Sequence, residues 1–187
     1  ADIYAPMSND VMHYSWNDAV SIVLESFNSF DQEFHDLAKD VFDNHRIDPF
    51  PSKTKRGGAF CSSSHPGKRP YVMMNFLGKS RDVSTLAHEL GHAIHSYYSS
   101  KQTLMNYHAI LPVCETASVF CEMLVIDALK KQVKTPKERF VLLTSKMEDI
   151  IATSHRQNMF SRFEKRIHGH ISNSRISEKE LCEFYHA

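Results

Sequence analysis

Apolar residues recur at helical spacing from Tyr14 to Asn44, through Trp16, Val20, Val23, Leu24, Phe27, Phe30, Phe34, Leu37 and Val41. The pattern predicts one long helix, or two joined near Asn28-Ser29. The next stretch, Ile47 to Gly67, is rich in Pro, Gly, Ser and Lys. It reads as loop, with a short strand near Ala59-Phe60-Cys61-Ser62. PYVMMNFL, from Pro70 to Leu77, reads as a strand ended by Gly78-Lys79.

Helical spacing then returns. STLAHELGHAIHSYY reads as one helix running to about Ser99, with Asp82 or Ser80 as its cap. Lys101 to Ile110 is a polar connector. Pro112 can open the helix VCETASVFCEMLVIDALKK, which ends near Lys131. Pro136 starts another, whose apolar spacing continues through Val141, Ile150, Phe160 and Phe163 to about His168. Ser177 and Glu180 form a capping box for a last helix, Glu178 to Tyr185. There is no internal repeat or low-complexity tract. The expected architecture is mainly α with a small β-sheet.

Composition narrows the class. At 187 residues and 21.5 kDa the chain can bury one full core. Its formal net charge is zero with His neutral, so nothing points to nucleic acid or an anionic membrane. No apolar run approaches the roughly 18–20 residues of a membrane span. The start, ADIYAPMSND, has neither the basic nor the apolar region of a signal peptide. It also lacks an initiator Met, and a processed form or a fragment is expected. Cys61, Cys114, Cys121 and Cys182 form no CxxC pair, and Cys114 and Cys121 lie too far apart along one helix to bridge. Free thiols in a reducing compartment, hence a cytoplasmic location, are the expectation.

The chemistry centres on His88-Glu89-Leu90-Gly91-His92. Four residues separate the histidines, about one helical turn or roughly 6 Å along the axis, so both rings leave one face. Two such imidazoles can bind one Zn²⁺ at about 2.0–2.1 Å each. Glu89, beside His88, can reach the metal's water as a general base. Together they suit metal-assisted hydrolysis.

A catalytic zinc usually has three protein ligands. His95 lies about 10 Å along the axis from His88, too far for one straight helix to offer all three. A His ten residues after the first would be the metzincin solution, but position 98 is Tyr98. Glu115 is the first carboxylate after the motif, and an antiparallel return would bring it alongside. That gives a His₂Glu set; the alternative for Glu115 is a solvated first-turn carboxylate. Glu122, seven residues on, shares its face and could accept the N–H of a ligand imidazole, or be an ordinary salt-bridged Glu. His95 could orient substrate or structure, or be a partner-bonded core residue.

With these elements placed, the chain resembles the family of oligoendopeptidase F and thimet oligopeptidase. The segments that carry the likeness are DIYAPMS, YSWNDAVSIVLESF, KRGGAFCSS, PYVMMNFLGKSRDVSTLAHELGHAIHSYYSS, VCETASVFCEML and HRQNMFSRFE. The resemblance implies a zincin-like core of a helical, clam-shaped oligopeptidase. It implies one Zn²⁺ on His88, His92 and Glu115, with Glu89 activating the water, and oligopeptide substrates. It makes PYVMMNFL a cleft-edge strand able to hold an extended peptide by main-chain pairing. The family's later His/Tyr cluster, which donates hydrogen bonds to the tetrahedral intermediate, has no match in LCEFYHA, and the resemblance leads us to expect that the family's N-terminal lobe lies outside these residues. Residues 1–187 are thus expected to be the metallopeptidase core of a longer enzyme, partnered by its remaining lobes.

The expected function is zinc-dependent endopeptidase action on short oligopeptides. The alternative is a zinc-stabilised peptide-binding or structural fragment without catalytic activity of its own. Retention of Glu89 favours the enzyme, because a pure binder has no need of it.

Overall fold

Asp31 decides how the first apolar stretch folds. In the computed structural model, which describes residues 12–172 and 175–186, α1 (Trp16–Phe30) ends and α2 (Gln32–Asp43) begins around this one extended residue. Its carboxylate accepts the Glu33 N–H at 2.7 Å, and its own N–H donates to the Phe27 carbonyl at 2.8 Å. There are therefore two helices, and the break lies at Asp31 rather than at Asn28-Ser29. The Ser29 hydroxyl instead folds back onto the Glu25 carbonyl within the helix. A side-chain acceptor that caps the next helix is the stronger break. The DIYAPMS segment lies outside the described residues.

Three short strands follow: β1 (Ile47–Asp48), β2 (Phe60–Ser62) and β3 (Tyr71–Met73), in the order β1-β3-β2. β3 runs parallel to β1, with Ile47 opposite Val72, and antiparallel to β2, with Cys61 opposite Val72. PYVMMNFL therefore supplies the central strand, not an edge. Beyond Met73 its backbone stays bonded outside the strand, with Met74 and Phe76 N–H groups donating to Asp48 and Pro49 carbonyls. The partner β1 is a dipeptide before Pro49 in a polar segment, too short to carry an alternating pattern. The edge strand that packs beside the motif helix is β2.

Side chains tie this layer to the helices. Trp16 meets Phe42, Phe50 and Phe76 edge-on at ring separations of 5.3–6.2 Å. Asp40 accepts from the Tyr97 hydroxyl at 2.5 Å and from Arg69 Nε at 2.8 Å, which pins α2 to the next helix.

That helix, α3 (Ser80–Ser99), starts where Asp82 accepts the backbone N–H groups of Leu77 and Lys79 at 2.8 and 3.0 Å. Of the two cap candidates Asp82 is the one used, from inside the first turn. A connector with a 3₁₀ turn at Leu104–Asn106 leads to α4 (Leu111–Gln132), which Pro112 opens. The chain divides into two compact units, Ala1–Arg139 and Phe140–Ala187, with the boundary inside α5 (Pro136–Ile151). A π-helical turn at Ala152–Arg156 links α5 to α6 (Gln157–Ile171), so the predicted single helix contains an irregular turn. α7 (Glu178–His186) carries the expected capping box, with Ser177 N–H on the Glu180 carboxylate at 2.9 Å. Within the second unit Phe163 meets Tyr185 and His170 meets Phe184 edge-on. No helix among the described residues is long and apolar enough to cross a membrane, and all four cysteines are free.

The core of the first unit lies where α3 meets α4. Val83, Leu86, Ala87, Leu90 and Ala93 on α3 are fully buried, as are Val125 and Leu129 on α4. Gly91 sets the spacing. A Cβ there would lie 2.7 Å from Ser118 Cα and 2.9 Å from the Ala117 carbonyl oxygen. Those are backbone atoms, so α4 itself would have to move. Gly91→Ala should therefore destabilise the protein by about 1–3 kcal/mol, as overpacking does. Urea denaturation measures this, and an unchanged midpoint would show that the helices separate freely.

Candidate metal centre

The α3–α4 contact brings four of the sequence-predicted side chains to one place. α3 presents His88 and His92 on one face, and α4 presents Glu115 and Glu122 to them. His88 Nε2 and His92 Nε2 lie 3.2 Å apart, with their rings nearly perpendicular. Glu115 Oε2 is 3.3 Å from His88 Nε2 and 3.7 Å from His92 Nε2. Ligands at about 2.0–2.1 Å in a tetrahedron are about 3.3–3.4 Å from one another. The three observed separations bracket that edge, so this donor set fits one tetrahedral dication without rearrangement. Among the described residues this is the group of His, Cys, Asp and Glu that could hold a metal ion.

Neighbours fix the orientation of two of the three donors, His88 and Glu115. Glu122 Oε1 accepts from His88 Nδ1 at 2.5 Å, so the Nδ1 proton is committed and Nε2 carries the free lone pair. Ser118, fully buried, donates its hydroxyl to Glu115 Oε2 at 2.9 Å and aims that carboxylate. Sequence reasoning missed Ser118. Its signal was the i, i+3 spacing from Glu115 on a helix, which makes the two side chains neighbours. His95 stands apart from the group. It lines a neighbouring cavity of about 340 Å³ together with His92, Glu115, Tyr107 and His108.

Glu89 leaves α3 on a different side and is almost wholly buried. Its Oε2 has no hydrogen-bond partner, and a backbone hydrogen bond from Cys61 on β2 serves the carboxylate. Burial pushes Glu89 up to about 7, with the nearby His88 pulling down and Glu115 adding to the rise. Such a carboxylate can exchange a proton near neutrality. Burial pushes the half-buried Cys61 thiol up to about 12, with Glu89 contributing, and it stays protonated. The two imidazoles move in opposite directions. Burial lowers His92, helped by charge on His88. Burial also works against the charge of His88, but the Glu122 hydrogen bond and charge outweigh it and raise His88 above the ordinary imidazole value.

Protonated His88 cannot offer Nε2 to a metal. A proton and a dication would therefore compete for it, and any metal affinity would fall as pH drops through the raised His88 value. Glu122→Gln should bring the His88 titration in chelator-treated protein back toward ordinary imidazole behaviour, read by NMR of the ring protons. An unmoved titration would mean that Glu122 does not govern the ring.

The profile of peptidase family M3 matches residues 14–187. An oligoendopeptidase F homologue from Borreliella burgdorferi is 35% identical over 98% of this chain, which covers 32% of that protein. Oligopeptidase PepF from Bacillus subtilis is 32% identical over 89% of the chain and 25% of its own length. Among solved structures, a protein assigned as a peptidase from Chlamydophila abortus superposes with TM-score 0.73 at 32% identity. The match covers 98% of this chain and 31% of that one. The fold also matches, at TM-score 0.79 and 20% identity, a protein assigned as oligoendopeptidase F from Bacillus anthracis, over 97% and 32% of the two chains. The chain thus spans about a quarter to a third of the length of the relatives it matches.

Proposed function

The chain belongs to peptidase family M3, and on that premise we propose that it is the metal-binding core of a zinc endopeptidase acting on short oligopeptides. The observation that carries the reading is the tetrahedral spacing of His88 Nε2, His92 Nε2 and Glu115 Oε2, with Glu89 beside them. His88, His92 and Glu115 would hold the ion. Zn²⁺ bound there supplies a Lewis acid that activates water and polarises a peptide carbonyl.

The chain's own residues do the rest. Glu89 takes the proton of the attacking water on its unpartnered Oε2 and later hands it to the leaving amine. A carboxylate near 7 suits both transfers, because neither protonation state is strongly favoured. The Cys61 N–H keeps Glu89 directed while its other oxygen works. Glu122 holds the His88 ring in the required tautomer, and Ser118 holds Glu115. The outer edge of β2 is the surface for an extended peptide; with the Cys61 N–H given to Glu89, main-chain pairing there would use the groups beside it. That role passes to β2 because β3 is paired on both sides.

We further propose that residues 1–187 work together with additional lobes and that the protein is cytoplasmic. Support for the lobes comes from the share of its relatives that the chain covers. The binding-module alternative uses the same ligands and is separated from the enzyme by Glu89 alone.

Replacing Glu115 by Ala should weaken zinc binding by several orders of magnitude, while Glu122→Gln should cost about 10–100-fold. Competition with a chromophoric chelator reads both values. Equal affinity in Glu115→Ala and wild type would transfer the third ligand to another residue, with His95 and His108 next in line. Glu89→Gln should keep its zinc and lose turnover of a quenched-fluorescent decapeptide by at least about 10²-fold, the scale of general-base catalysis. Loss of zinc in Glu89→Gln would contradict the assignment of Glu89 as base rather than ligand.

A further inference from the structure

The cavity beside the metal centre has a chemical character of its own. Its walls come from β2 and the residues after it, from α3 beyond His92, and from the connector. It holds about 340 Å³, enough for one long side chain and a few waters. Glu115 is the only charged carboxylate along it, and no Lys or Arg lines it. Glu115 is already directed at the histidine pair.

Hydrogen-bonding capacity along the walls is largely unspent. Neither the His95 nor the His108 ring has a hydrogen-bond partner among the described residues, and the Ser62, Ser63 and Ser99 hydroxyls are likewise uncommitted. Ser96 is the exception, donating to the His92 carbonyl at 2.9 Å. A neutral imidazole has one N–H donor and one acceptor nitrogen, and a hydroxyl has one O–H donor and acceptor lone pairs. A side chain entering the cavity either meets those groups or strands them. Leu would cover them without replacing the water they lose, at a cost typical of unsatisfied polar groups. Lys or Glu would bring a charge with no free counter-ion. An uncharged amide, which donates and accepts at once, meets them directly.

We propose that this cavity is a specificity pocket for a glutaminyl side chain of the peptide, with His95 and His108 as the groups that recognise its amide. The inference rests on the peptidase reading above. β2 contributes both the free edge proposed to hold the peptide backbone and Ser62 on the cavity wall, so a peptide paired there sends a side chain into this space. A pocket built to hydrogen-bond its occupant discriminates sharply against analogues that cannot.

The test uses a labelled decapeptide of Gly and Ala in which one Glu, Gln, Leu or Lys is walked through the six central positions. Binding to zinc-loaded Glu89→Gln protein is read by fluorescence anisotropy. At one position Gln should bind about 10-fold more tightly than Leu, Lys or Glu, the scale of one good hydrogen-bonded contact. His95→Leu and His108→Leu should each reduce that preference over Leu to about twofold, while affinity for the Leu peptide holds or rises. His95→Gln, which keeps a donor and an acceptor, should retain part of it, a rescue that general loss of folding would not produce. Equal binding of Gln and Leu peptides at every position, or a preference for Lys or Glu, overturns the pocket. Hydrolysis of the same peptides by the wild-type protein, with and without chelator, separates the two readings. Chelator-sensitive cleavage without a Gln preference sinks the pocket alone. Neither binding nor cleavage of any peptide sinks both.

Discussion

The close approach of α3 and α4 at Gly91 and Ser118 is the constraint on which the site depends. With no side chain at Gly91, the α4 backbone sits where a Cβ would be. One helical turn of α4 on either side of that contact carries Glu115 and Glu122, and one turn of α3 carries His88 and His92. A separation of the histidines from the carboxylates by even 1 Å would break the donor spacing. The helices are held at this distance by apolar burial along both, with Leu86, Leu90, Val125 and Leu129 fully buried. Each such side chain contributes about 1.5–3 kcal/mol. That margin also offsets Glu89 on another side of α3, whose orphan oxygen costs about 1–3 kcal/mol.

The electrostatics divide the two histidines by their partners rather than by their burial. Both rings are partly buried to a similar degree, yet His88 rises and His92 falls. Of the two rings, it is His88 that Glu122 hydrogen-bonds. Burial is the largest single influence on both; at His88 the Glu122 hydrogen bond and the charges of Glu122, Glu89 and Glu115 together outweigh it, whereas at His92 the charge on His88 adds to it. Negative charge from Glu115 and Glu122 is thus placed asymmetrically around a symmetric pair of ligand atoms.

Much of this was readable in the residues, because it rests on periodicities. The HExxH spacing puts two rings on one helical face whatever the rest of the chain does, and Glu115 follows as the first carboxylate after them. The mainly helical architecture with a small sheet likewise follows from apolar spacing. What stayed hidden depended on contacts distant in sequence. β1 is two residues long and takes its identity from Val72, about 25 residues away. The order of the sheet, and so which strand keeps a free edge, is set by that pairing and not by the apolar run of PYVMMNFL. The break at Asp31 hinged on which of two polar side chains bonds forward and which bonds back along the helix. Ser118 looked like one more small helical residue until the depth of the Gly91 contact was known.

The proposed ligands span residues 88 to 115, within two consecutive helices and their connector, whereas Glu89 takes its hydrogen bond from Cys61 on a strand. The two separations are alike, 27 residues from His88 to Glu115 and 28 from Cys61 to Glu89, so loop-closure entropy does not tell them apart. What differs is the means of attachment. The histidines and Glu115 stand on two helices locked together by buried side chains, whereas Glu89 is directed by one main-chain N–H of a three-residue edge strand. Undocking of β2 would therefore leave the proposed ligand group standing and strip Glu89 of the hydrogen bond that directs it.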